Sequence, residues 1–170
     1  MNAALSPSPL FDHLRDIYLM EKQLAEFLPG FSKIAADGEL RELISRHADR
    51  TVEHKARLLA VFANHRVRIG GDAGEALRGL ISGASMELAN MKDPATRDLL
   101  LAGHCKRIGD KGINTYIAAA CMAKTMGYQA EWDLLVSFYS EQEKTIIRLD
   151  GIGARLLNGQ IRRGRYFSML

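Results

Sequence analysis

The strongest constraint in this chain is a spacing. Leu10, Leu14, Ile17, Leu24 and Leu28 stand three, four or seven residues apart, the repeat that lines up one face of an α-helix. Position 21 falls on the same face, and it is Glu21. A carboxylate inside an apolar stripe is costly unless another group satisfies it, so the rest of the chain must supply a partner. Ser8-Pro9 opens this first helix with a serine cap and a proline at the first helical position. Pro29-Gly30 should kink or interrupt it, and the pattern stops at Asp37-Gly38.

Three more long helical patterns follow. The second helix runs from about Glu39 to His65 with Leu40, Leu43, Ile44, His47, Thr51, His54, Leu58, Val61 and Phe62 in its stripe. The third starts at Asp93-Pro94, a second cap-plus-proline signal. It runs to about Met126, with Leu99, Ala102, Gly103, Ile113, Tyr116, Ile117 and Ala120 read as inward, and Gly127 ends it. The fourth spans about Gln129 to Leu157 through Leu134, Leu135, Phe138, Gln142, Thr145, Leu149, Ile152 and Leu156, and Asn158-Gly159 closes it. Between the second and third lies a weaker pattern, Ala73 to Met91, in which Gly74, Gly79 and Gly83 each cost ~1 kcal/mol relative to alanine. Nothing reads as strand. The expected fold is all-α: a four-helix bundle with a long crossover, carrying a fifth shorter helix, between helices two and three. Residues 1–8 read as an N-terminal tail, 9–158 as one domain, and 159–170 as a basic C-terminal tail.

Composition removes several function classes. A net charge of +3 is too small to argue for nucleic acid, and no apolar run approaches the ~20 residues of a membrane span. Met1 to Pro9 lacks the basic and apolar segments of a secretory signal. Cys105 and Cys121 sit on one predicted helix, sixteen residues and therefore ~24 Å apart. That is beyond disulfide reach, so both read as core thiols of a reducing, cytoplasmic setting. Nucleotide-loop, zinc-protease, CxxC and nucleophile-elbow motifs are absent from the sequence.

Chemistry concentrates at mid-helix. The four apolar stripes are broken at Glu21, at His47 to His54, at Lys106 to Asp110, and at Gln142 with Thr145. In an antiparallel bundle these heights coincide, so a polar layer crosses the waist, where carboxylate-bridged bundles build their metal sites.

The run Leu14 to Leu24, followed by Leu28-Pro29, resembles the opening helix of the ferritin-like YciE/YciF type, a stress-associated bacterial family of uncertain activity. His47, Thr51, His54 and Arg57-Leu58 are similar to its second helix, Ile113 and Tyr116 to its third, and Glu141 with Glu143-Lys144 to its fourth. The resemblance implies a ferritin-like bundle, a homodimer, and a family whose members can carry a dinuclear metal site.

The chain departs from that pattern at the site. Such a centre takes one Glu from each of two helices and Glu-x-x-His from each of the other two, a ligand set suited to iron or manganese. No Glu here is followed three residues later by His. Glu21 matches the first-helix ligand. Arg50 stands where a Glu is expected before Thr51. On the third helix, Gly109-Asp110-Lys111-Gly112 replaces the expected stretch, both acids reading glycine and the histidine reading aspartate, and on the fourth Glu141 or Glu143 could serve but no imidazole lies nearby. An arginine here brings its own cation, and a guanidinium can serve two carboxylates. The expectation is a buried polar cluster of Glu21, Arg50, His54, Asp110 and Glu143. In it, Arg50 neutralises Glu21 in place of metal, with Glu143 or Asp110 as its second partner, and Gly109 and Gly112 leave room for that side chain or for water.

The first functional expectation is therefore a non-enzymatic structural or interaction protein with no cofactor, acting as a homodimer. The alternative is an iron or manganese protein of oxidase, peroxidase or storage type, built on Glu21, His54, Asp110 and Glu143. A third reading, binding of nucleic acid or a membrane surface through Arg162 to Arg165, ranks last.

Overall fold

Both cap-plus-proline signals are helix starts. Ser8 Oγ accepts from the Leu10 N–H at 3.3 Å, and Asp93 Oδ2 accepts from the Thr96 N–H at 2.8 Å. The computed structural model describes residues 8–70 and 75–167. These form α1 (Pro9–Ile34), α2 (Gly38–Asn64), α3 (Glu75–Asn90), α4 (Pro94–Thr125) and α5 (Gln129–Phe167), and the described residues contain no strand. Gly74 and most of the N-terminal tail lie outside the described residues. No described helix is long and apolar enough to cross a membrane.

The contacts fix the topology. α1 pairs with α2 and α4 with α5. Arg50 meets Thr145, His54 meets Glu141, and His65 meets Glu131, so α2 and α5 run antiparallel. α2 and α4 start at the same end, because Asp98 on the first turns of α4 reaches the chain entering α2. Its two oxygens accept the backbone N–H groups of Ala36 (2.9 Å) and Asp37 (2.6 Å). Consecutive long helices that run parallel need a connection that traverses the bundle, and α3 occupies it, packing on α4 and α1. Leu77, Ala84 and Leu88 anchor α3, and His104 Nε2 of α4 lies 2.7 Å from Glu87 Oε2.

Three expectations change. Pro29 lies inside α1, which continues to Ile34. The last helix does not close at Asn158-Gly159 but continues to Phe167. It follows the start of α4, where the Gln160 amide donates to Asp93 and Thr96. Arg162 and Arg163 are exposed on that continuous helix.

The third correction concerns α4. Gly103 and Ile117 face outward, and the buried face is Leu101, Ala102, Cys105, Ile108, Gly109, Gly112, Tyr116, Ala119, Ala120 and Ala123. Small residues let α4 approach its neighbours closely, so reading the stripe by its largest apolar residues misplaced its register. Cys105 is in this core, where burial pushes its thiol up to about 12, whereas Cys121 is exposed. After α4, Gly127 takes φ +79°, a left-handed turn that glycine adopts without strain.

Asp98 is 2% exposed, so its two backbone bonds are shielded from water. Asp98→Ala should destabilise the fold by about 2–3 kcal/mol, since two N–H groups lose a charged acceptor. The thermal midpoint should fall by roughly 5–10 °C, read by circular dichroism.

Candidate functional site

The waist layer is real in position and different in wiring from the expected cluster. Glu21, projecting from α1, is completely buried. Its Oε1 accepts the phenolic hydrogen of Tyr116 from α4 and lies 3.0 Å from His54 Nδ1 on α2. The other ring nitrogen, His54 Nε2, lies 3.0 Å from Glu141 Oε2 on α5. One imidazole therefore bridges two carboxylates, and the four groups come from four helices. Phe138 stacks on the His54 ring at 3.7 Å between centroids and 17° between planes. The Arg57 guanidinium covers Phe138 at 5.0 Å.

A neutral imidazole has one donor and one acceptor nitrogen, and here both nitrogens face carboxylate oxygens, so a neutral ring can donate to only one of them and a cation beside the pair is favoured. Arg50 is that cation.

Arg50 donates to Thr145 Oγ1 and, at 3.5 Å, to the Glu141 carbonyl. Its direct partners are thus on α5, and Glu21 is bonded by His54 and Tyr116 instead. Burial lowers the Arg50 pKa, opposed by Glu141, Tyr116 and Glu21. Burial and then the Glu21 carboxylate hold the Tyr116 phenol well above its usual range. His47, one turn before Arg50, is pushed down to about 3 by burial and by the Arg50 and His54 charges, which makes it a neutral ring.

The other expected members lie elsewhere. Glu143 is exposed and accepts from Tyr139 at 2.7 Å. Asp110 is half-buried, and its charge raises the pKa of Lys106, whose main partner is Asp150 at 2.7 Å. The glycines do not make room for Arg50. A Cβ at Gly109 would stand 2.6 Å from Gln142 Nε2 and 3.1 Å from Ile146, and one at Gly112 would touch Met20 and Tyr116 at 3.8 Å. Gln142 and Ile146 take the space at Gly109. The principal omissions from the expected cluster are Glu141 and Tyr116. Both were findable by spacing: Glu141 lies three residues after Phe138 and four before Thr145, on the inward face, whereas Glu143 is rotated off it.

The fit to a dinuclear centre can be judged from these donors. Both His54 nitrogens are engaged, α4 contributes a phenol rather than a carboxylate at this height, and a guanidinium lies alongside. No group of three or more His, Cys, Asp or Glu side chains among the described residues is arranged to hold a metal ion. The residues do not fit two metal ions. Two side-chain atoms of the layer, Glu21 Oε2 and Gln142 Nε2, are buried without a hydrogen-bond partner.

Comparison with known proteins agrees with this architecture. The family model described as a domain of unknown function, DUF892, matches residues 8–161. The chain belongs to the DUF892 family. Among solved structures, the E. coli stress protein YciF is 24% identical with a TM-score of 0.82, covering 88% of this chain and 95% of its own. YcfI from Rhodopseudomonas palustris, described as a putative structural protein, is 22% identical with a TM-score of 0.80, covering 88% and 98%. A Xanthomonas campestris protein is 16% identical with a TM-score of 0.73, covering 92% and 96%. At these identities the likeness establishes the shared helical fold. No curated protein matches the chain by sequence.

Two measurements probe the layer. Glu21→Ala leaves His54 and Tyr116 without their shared acceptor and should cost about 3–5 kcal/mol, whereas Glu143→Ala should leave the urea midpoint unchanged. His47 gives the pH dependence. Its folded pKa of about 3 lies below the unfolded 6.5, so the unfolded chain binds more protons between these values. Stability should therefore fall on acidification through that window, by about 1.4 kcal/mol per pH unit from this group alone. Urea titrations at pH 6.5 and 4.5 should show the fall, and His47→Gln should reduce its slope by about one proton.

Proposed function

We propose that this protein is a non-enzymatic structural or interaction protein of the ferritin-like, YciF type, in which a hydrogen-bonded ion cluster takes the place of a metal centre. The observation that carries this reading is the bridging His54, with a carboxylate on each ring nitrogen at 3.0 Å. A dication attracts carboxylates by charge; here the guanidinium of Arg50 supplies positive charge from within the chain. The cost of desolvating such a cluster offsets much of its attraction, so its value lies in holding four helices in one register. The description of YciF as a stress protein and of YcfI as a putative structural protein supports a structural role in bacterial stress physiology, which we take to be cytoplasmic. Helical bundles of this type associate through their outer faces, and we take the working unit to be a homodimer.

The buried, unpartnered Glu21 Oε2 favours one second reading. A single iron or manganese ion could take that oxygen together with Glu141 if the imidazole turned away.

Elemental analysis separates the two. Protein purified without chelators, then incubated anaerobically with ferrous or manganous ion and desalted, should retain less than about a tenth of a metal ion per chain. Retention of about one or two ions per chain, abolished by Glu21→Ala, would overturn the metal-free reading. Sedimentation equilibrium on the same sample tests the homodimer.

A further inference from the structure

The cluster has a property that a purely structural ion network does not need. Beside its fully buried carboxylate stands a buried phenol. Tyr116 is 1% exposed, and its hydroxyl donates to a carboxylate that is itself completely buried. From Glu21 the contacts continue through His54 to Glu141, whose side chain is 34% exposed. An unbroken file of hydrogen-bonding groups thus runs from a sealed phenol to solvent. A packed aromatic file runs beside it: the Tyr116 ring lies 5.8 Å from Phe138, which stacks on His54 and is capped by the exposed Arg57.

We propose that Tyr116 is a protected redox site, giving one electron to a one-electron oxidant of the peroxyl-radical class while passing its proton to Glu21. The step balances. The O–H bond of Tyr116 breaks, the electron reduces the peroxyl radical to its anion, which takes a proton from water, and the phenolic proton forms an O–H bond with Glu21 Oε1. The products are a neutral tyrosyl radical, a carboxylic acid, a hydroperoxide and the hydroxide left by the water. A small thiolate or ascorbate restores the protein by returning one electron, itself becoming a thiyl or ascorbyl radical, and the proton moves back from Glu21 to the phenolate oxygen.

Two physical facts favour this site over the other tyrosines. Losing an electron from a buried phenol with no base beside it leaves a cation in an apolar medium, which is heavily penalised. With an acceptor already hydrogen-bonded, the proton moves with the electron and no new charge is left on the ring. Burial also keeps the radical from coupling with a second phenol. Tyr139, by contrast, meets Glu143 at the surface, where its radical is open to solvent and to other molecules. The inference uses the hydrogen-bonded cluster and needs neither a metal nor a partner.

The test is flash oxidation of the full chain by a photogenerated ruthenium(III) polypyridyl, followed by freezing and electron paramagnetic resonance. The expected result is a long-lived neutral tyrosyl signal that disappears in Tyr116→Phe and survives in Tyr139→Phe. Its formation should slow by about 10²-fold in Glu21→Gln and should show a solvent deuterium isotope effect. If Glu21→Gln does not fold, His54→Gln is read in the same way, with slowed formation expected because Glu21 loses its proton relay. An unchanged signal in Tyr116→Phe, or wild-type formation rates in whichever of the two relay variants folds, would overturn the proposal. Metal analysis of the same samples keeps this outcome separate from that of the metal-free reading.

Discussion

Everything at the centre of this bundle follows from the burial of one carboxylate. Glu21 sits where its α1 neighbours are leucine and isoleucine, and it has no route to water. A lone charge there would cost several kcal/mol. Tyr116 and His54 make the position tolerable, and they come from two other helices. His54 in turn requires Glu141, and Arg50 balances what remains. The interaction is therefore also a positional device: each helix contributes one group, and a one-residue slip in any of them would leave a buried polar group without a partner.

Much of this was readable from the sequence, and the limits have physical causes. The second and last helices could be placed because their stripes are made of large apolar residues at regular spacing. α4 could not be registered the same way, because Gly109, Gly112, Ala119 and Ala123 carry its buried face and are weak hydrophobic markers. The end of α5 was misjudged for a related reason. Asn158-Gly159 is a strong local stop signal, but contacts of Gln160 with Asp93 and Thr96 belong to tertiary structure and outweigh it.

The site shows the same division. Glu21 and His54 were identified as partners of a waist layer because they interrupt apolar stripes. Arg50 was assigned to Glu21 on charge alone, and geometry sends it to α5. Charge is a poor guide to pairing where a closer neutral donor exists, since Tyr116 and His54 occupy Glu21 Oε1 without bringing a fixed cation into the core. Asp110 and Glu143 were chosen for their height along the helix. Height is correct for both, but rotation about the helix axis turns them toward other partners. Height comes from counting residues, whereas rotation depends on which neighbours pack where.

Gly109 carries a consequence for the evolution of this fold. Exchanging it for an acidic residue looks like a small change in the sequence. Yet a Cβ at this position would stand 2.6 Å from the Gln142 amide. A carboxylate fits only if the Gln142 amide, the far end of a flexible side chain, swings aside and Ile146 gives by a few tenths of an ångström. The way to an acidic residue at this position of α4 therefore runs through repacking of α5.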